Sequence, residues 1–305
     1  MASTRYASDR GLTSRMLVTM FLLGLVYVVF VTAFFVISPK FGAIALVVAL
    51  AFLFAQYFFS DKLTMFAMHG RVVSAEEAPE LHGVIDRICA MSDAPKPRVA
   101  VADTDVPNAF ATGRSQKKAV VCVTTGLLRR LDPVELEGVL AHEMAHVAHK
   151  DVAVMTIASF LGICAGLITR FGLEWGLWGG FNRRDNDQNT GMILLAVVAV
   201  SAVAYAVSFL LTRALSRYRE LSADRAAALL TGRPSALASA LTKVSGEIAR
   251  IPTNDLRSAQ AFNAFFFTPA FGKGVSVASL FSTHPPLDKR LAQLSKISDQ
   301  LSRGV

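Results

Sequence analysis

Two long apolar blocks open the chain. Met16 to Ile37 is nearly free of polar side chains and long enough to cross a bilayer. Ser38-Pro39-Lys40 breaks it, and Phe41 to Phe59 follows with Gln56 as its only strongly polar residue. The pattern predicts a hairpin of transmembrane helices. A cleaved signal peptide fits poorly, because the first run is too long and a second follows at once. Val152 to Thr169 and Met192 to Thr212 form a second apolar pair. The polar loop between them carries Trp175, Trp178, Arg183, Arg184, Asp185 and Asp187, and tryptophans at such edges suit a headgroup interface. The pattern predicts that this pair also spans, with a soluble helical hairpin inside a large core as the alternative.

The polar stretches predict a second kind of unit. Glu76 to Met91 reads as an amphipathic helix with Leu81, Val84, Ile85 and Ile88 on one face, ended by Asp93-Ala94-Pro95-Lys96-Pro97. Arg98 to Ala102 and Ala119 to Thr124 are short β-rich runs, with Asn108 to Thr112 between them, and together they predict a small sheet. Asp132, Pro133 and Glu135 are an N-cap, a first helical residue and a capping-box partner. The helix they start is predicted to run through Val134 to Lys150 and straight into the third apolar run. Glu135, Glu137 and Lys150 keep that helix out of lipid. The predicted organisation is a tail and first hairpin at 1–60, the first part of a soluble domain at 61–151, a second hairpin at 152–212 and the second part of that domain at 213–305.

Charge adds orientation. Arg5, Arg10 and Arg15 precede the first run, Lys62 and Arg71 follow the second, and Arg213, Arg217 and Arg219 follow the fourth. With four spans these ends share one side, which the positive-inside rule makes cytoplasmic, together with both termini. Lys40 falls outside. Arg183 and Arg184 do too, which counts mildly against the scheme, although Asp185 and Asp187 lie beside them. The net charge of +8 invites a nucleic-acid reading, but the cations flank apolar runs, and no aromatic-basic RNA motif or zinc-finger spacing is present. Charged residues make up 18% of the chain and hydrophobic ones 53%, which is too apolar for an ordinary soluble enzyme. Cys89, Cys122 and Cys164 are few and odd in number, which disfavours a disulfide framework and favours a reducing compartment.

The chemistry concentrates at His142-Glu143-Met144-Ala145-His146. Histidines four apart on a helix present both imidazoles from one face to one Zn²⁺, and the glutamate beside them can take a proton from water. A catalytic zinc wants a third protein ligand. His149 is near the same face, but one helix rarely curves three side chains onto a metal. Glu220 and Asp224 share a helix face. Glu220 could bind the metal while Asp224 fixes the tautomer of a ligand histidine; equally, both could pair with Arg217 or Arg225 on a solvated helix. His284, before Pro285 and Pro286, is either structural or a donor to an oxyanion with Arg290 assisting. His69 and His82 have no such context. Phe262, Phe265, Phe266, Phe267 and Phe271 form an aromatic patch, read as core packing or as contact with membrane or an apolar substrate.

Taken together, Asn108-Ala109-Phe110-Ala111-Thr112-Gly113, the His142–His146 motif with Asp151 after it, Glu220 with Asp224, and His284-Pro285-Pro286-Leu287-Asp288-Lys289-Arg290 resemble the HtpX family of bacterial membrane zinc metalloproteases, relatives of the CAAX-prenyl endopeptidases. The resemblance covers nearly the whole chain. It implies a mainly α membrane protein with four transmembrane helices and a cytosolic, gluzincin-like α+β protease domain containing a small sheet. It implies one Zn²⁺ per chain held by His142, His146 and Glu220, with Asp224 and Asp151 behind the ligands. Glu143 would be the base, and His284 and Arg290 would act at the substrate carbonyl. Asn108, Ala109 and Phe110 would line the cleft, where an edge strand can pair with an extended polypeptide. The phenylalanine-rich stretch before Ser276 departs from the family pattern. The implied role is cutting damaged or misassembled membrane proteins at the cytoplasmic face of a bacterial cytoplasmic membrane. No phosphate-loop motif accompanies it, so no ATP-driven unfolding is built in. A prenyl-peptide endoprotease is the alternative enzyme. A non-catalytic scaffold with structural zinc is the alternative of another class, and it predicts a closed four-ligand site where only three strong ligands are found.

Overall fold

The computed structural model describes residues 10–37, most positions in 46–66, and residues 68–113, 115–175, 188–248 and 284–303. The protein is mostly helical with one small mixed sheet. Its elements are α1 (Arg10–Ile37), β1 (Gly70–Val72), α2 (Pro79–Ser92), β2 (Arg98–Ala102), β3 (Ala109–Thr112), β4 (Val120–Thr124), α3 (Pro133–Ala148), α4 (Asp151–Trp175), α5 (Gln188–Thr231), α6 (Pro234–Ile248) and α7 (Leu287–Ser302). They divide into two compact units: Met1–Leu12, Phe58–Ala153 and Ser216–Val305 form one, and Thr13–Tyr57 and Val154–Leu215 form the other.

The larger unit is organised around α3. Asp132 accepts from the backbone N–H groups of Val134 and Glu135, and Glu135 accepts from the N–H of Asp132, so the capping box forms. Every side chain from Glu135 to Val147 is buried. Two buried acids on this helix pair with half-exposed cations: Glu135 with Lys243 at 2.6 Å and Glu137 with Arg87 at 3.1 Å. α2 lays Leu81, Val84, Ile85 and Ile88 into the same core, each worth roughly 1.5–3 kcal/mol when buried. Asp93 stops α2 in a left-handed cap at φ 54°, with its N–H bonded to the Cys89 carbonyl.

The sheet runs β1-β2-β4-β3, antiparallel except for β2 with β4. β4 is central and buried along its length, as its run of valines requires. β3 is an edge strand. Gly113 turns the chain out of β3 at φ 123°, where an added Cβ would collide with the backbone of Lys118 and Ala119.

Two helix boundaries differ from expectation. α3 ends at Ala148, and Lys150, in the left-handed region at φ 58°, separates it from α4. The predicted straight passage into the third apolar run is therefore a break of two residues. In contrast, the helix of the fourth apolar run does not end with that run near Thr212: α5, 44 residues in all, continues unbroken to Thr231 and carries Glu220 and Asp224.

The smaller unit has a sparse interior. Leu23, Ala158 and Leu215 make one small cluster, and Phe30, Ala165 and Ala204 another. Gly166 allows Tyr205 to pack close, within 3.1 Å of where a Cβ would stand. Among the described residues three helical stretches are long and apolar enough to cross a membrane: Thr13–Ala33, Val154–Glu174 and one within Leu195–Thr231. Part of the second predicted span lies outside the described residues; the positions described within 46–66 are helical. Trp178, Arg183, Arg184, Asp185 and Asp187 also lie outside them, as does the phenylalanine patch at 262–271.

Candidate active site

One turn of α3 separates His142 from His146, and their Nε2 atoms stand 3.2 Å apart. Glu220 comes from α5. Its Oε1 is 3.3 Å from His146 Nε2 and its Oε2 is 3.6 Å from His142 Nε2. All three residues are buried. Each histidine has its other nitrogen on a carboxylate: His142 Nδ1 on Asp224 at 2.9 Å, and His146 Nδ1 on Asp151 at 2.7 Å. A carboxylate at Nδ1 fixes the proton there and leaves the Nε2 lone pair for a ligand. Two such lone pairs and a carboxylate oxygen then meet at one point, an arrangement that a cation satisfies. Tetrahedral zinc with bonds of about 2.0–2.1 Å needs its ligand atoms about 3.3 Å apart, and this set fits. Among the described residues, His142, His146 and Glu220 are the group of His, Cys, Asp and Glu side chains able to hold a metal ion.

Behind the trio lie two arginines. Arg290 grips Asp224 at both oxygens, through Nε at 2.7 Å and Nη2 at 2.6 Å, and its Nη1 is 3.7 Å from Glu220. It is 1% exposed. Its guanidinium thus lies between Asp224, which it grips, and Glu220. Arg219 holds Asp151 at 3.0 Å. Sequence reasoning counted Arg219 among the cations flanking a membrane span, yet it is buried. The alternative of a solvated Glu220–Asp224 face also fails, since the two are 6% and 0% exposed.

His284 bonds through Nδ1 to Glu220 Oε2 at 2.9 Å. Glu143 is buried and accepts a 3.0 Å hydrogen bond from the Ala111 N–H on β3. That contact brings the edge strand and the helix together, and no side-chain pattern announces it. Asn108, Ala109 and Phe110 are all buried. Asn108 exchanges main-chain hydrogen bonds with the Thr124 hydroxyl at 2.9 and 3.0 Å, and Phe110 packs with Ala100, Ala102, Val120 and Cys122. His149 serves as the C-cap of α3, His69 sits in a turn, and His82 bonds to the Val73 carbonyl.

Charges in this pocket shift one another strongly. Burial pushes the Glu143 carboxyl up, and His142 and His146 offset this only in part. Burial opposes the charge on Glu220 as well, but His284, His142 and His146 outweigh it and hold the carboxyl well below its usual range. Asp224 is lowered because Arg290 overcomes the same burial penalty. Without metal, burial would lower His146, but Asp151 and Glu220 outweigh it and carry the value to about 10.

Residues 75–298 match the model of peptidase family M48. The chain is 65% identical to "Protease HtpX homolog 1" of Streptomyces coelicolor over 301 residues, covering 99% of this chain and 97% of that protein. It is 50% identical to "Protease HtpX homolog" of Moorella thermoacetica over 295 residues, covering 96% and 97%. A crystal structure of S. mikatae Ste24p aligns with a TM-score of 0.54 at 17% identity, over 94% of this chain and 67% of that one, a likeness of fold. The apolar helices and these relatives make the protein an integral membrane protein. The chain belongs to peptidase family M48, a metallopeptidase family, as an HtpX-type member.

Proposed function

We propose that the protein is a zinc-dependent endopeptidase that cuts damaged or misassembled membrane proteins at the cytoplasmic face of a bacterial cytoplasmic membrane. The observation that carries the zinc reading is the meeting of His142 Nε2, His146 Nε2 and Glu220 with both Nδ1 atoms tied to buried aspartates. When bound, the ion supplies Lewis acidity that polarises a peptide carbonyl and makes water easier to deprotonate. Glu143 takes the proton of the attacking water and returns it to the leaving amine. The Ala111 N–H keeps its carboxylate aimed, and burial keeps it basic enough for that exchange. His284, oriented through Nδ1 by Glu220, donates to the developing oxyanion. Arg290 acts as a positioning residue, through Asp224. The side chains of Asn108, Ala109 and Phe110 are buried, so β3 reads an extended substrate through its main chain.

The test is cleavage of unfolded casein by detergent-purified full-length protein, metal-stripped with chelator and then restored with zinc. Cleavage that is lost on stripping and recovered with zinc supports the proposal. Casein left intact while a prenylated peptide is cut would replace the substrate class. A metal-loaded protein inert toward both would favour the scaffold.

A further inference from the structure

We infer that Arg219 is a positioning residue of the metal centre, holding His146 in place through Asp151. The inference rests on the metal reading proposed above. Lys150, at φ 58°, ends the turn after α3 and makes Asp151 the first residue of α4. That turn brings the carboxylate back onto His146, five residues earlier. One oxygen does the linking: Asp151 Oδ2 accepts from His146 Nδ1 at 2.7 Å and forms an ion pair with Arg219, whose Nε stands 3.0 Å away without the alignment of a hydrogen bond. Oδ1 has no hydrogen-bond partner among the described residues. Among the described residues, His146 and Arg219 are the side chains that meet this fully buried carboxylate within 3.0 Å, and Arg219 reaches it from outside α3 and the turn that follows it. Arg219 is the immediate neighbour of Glu220. α5 thus delivers two consecutive side chains to the centre, one to the ligand set and one to the support of His146.

The two supports are not equivalent. Asp224 is gripped by Arg290 at both oxygens, so its orientation is fixed independently of His142. Asp151 is gripped at one. Loss of Arg219 leaves a buried carboxylate free to rotate away from Nδ1, and loosening a partner of this kind costs about 10–100-fold in metal affinity. The histidine ring then loses the bond that points Nε2 at the ion.

The experiment measures zinc affinity by chelator competition on the detergent-purified full-length protein, with melting temperature of the metal-free form as a control for folding. The variants are Arg219→Met, Arg219→Gln, Asp151→Asn and the Arg219→Met/Asp151→Asn double. Arg219→Met is expected to weaken zinc binding by about 10–100-fold. Arg219→Gln, which keeps an N–H dipole beside the carboxylate but not the charge, recovers part of that loss. The double binds zinc no worse than Asp151→Asn, because the arginine acts through the aspartate. Wild-type affinity in Arg219→Met, or losses that multiply in the double, would overturn the inference. If Arg219→Met fails to fold, Arg219→Gln decides, and unchanged zinc affinity there overturns it equally. A wild-type protein that binds no zinc would overturn the metal reading itself, which is a separate failure.

Discussion

The two units place charge and grease in opposite ways. In the smaller one, Phe21 is 71% exposed and Val36 79%, while the buried apolar residues among those described fall mostly into two small clusters. In the larger one, Asp151 and Asp224 are 0% exposed, and His142 and Arg290 are 1%. Water tolerates neither arrangement cheaply. The first is stable where the surroundings are hydrocarbon, since lipid does not penalise an exposed leucine or phenylalanine. The second is stable only because each buried charge meets an opposite one. Replacing a buried ion pair by apolar residues is often neutral or stabilising, so stability alone gives little reason to keep this network. Its convergence on two imidazole nitrogens and a carboxylate oxygen gives a better one.

That contrast can be broken by substitution. The largest effect belongs to His146→Ala, which removes a ligand; zinc measured by elemental analysis should fall below one ion per chain, and cleavage below detection. Next comes Arg290→Met. It strands the Asp224 carboxylate, and breaking a buried pair from one side costs about 3–5 kcal/mol, readable as a lower denaturant midpoint. Phe21→Asp reverses the character of the smaller unit's surface. An aspartate near the centre of a membrane helix costs about 2.5–3.5 kcal/mol, which an insertion assay should register as a reduced inserted fraction. An acid in the first turn of α3, Val134→Asp, sharpens the comparison. Val134 is 41% exposed, and the same new charge should there shift stability by no more than about 0.5 kcal/mol.

Acidity probes the network between these extremes. In the metal-free protein His146 is raised from an ordinary value near 6.5 to about 10, with Asp151 and Glu220 overcoming the effect of burial. The folded value is the higher one, so this group's stabilisation is complete below pH 6.5 and is lost as pH rises toward about 10. Metal binding has the opposite sign. The ligand must give up its proton, so zinc affinity should rise by about tenfold per pH unit, or about 1.4 kcal/mol, across that window. Calorimetry in buffers of different ionisation enthalpy should detect the released proton.

Sequence made the local pieces legible and the long-range ones only in part. The face of α2, the capping box of α3 and the runs that became β2 and β4 follow from periodicity and cap chemistry. The spacing of His142 and His146 follows from a helical turn. Glu220 was one of two open readings on residue grounds, and the family resemblance singled it out. The partners of Arg219 and Arg290 were not legible, because Asp151 and Asp224 lie 68 and 66 residues away in sequence. An arginine beside an apolar run looks like a membrane flank, and only tertiary packing separates that from a buried ion. The break at Lys150 was missed because a left-handed lysine carries no local signal, unlike glycine. β1 is three residues long, too short to show alternation.

The central claim is that Glu143 is the base of a three-ligand metal site. The most direct measurement is casein cleavage by the Glu143→Gln protein, with its zinc content determined on the same sample. The account predicts one zinc per chain and a rate lower by about 10²–10⁴-fold. Cleavage at the wild-type rate with zinc in place would contradict it.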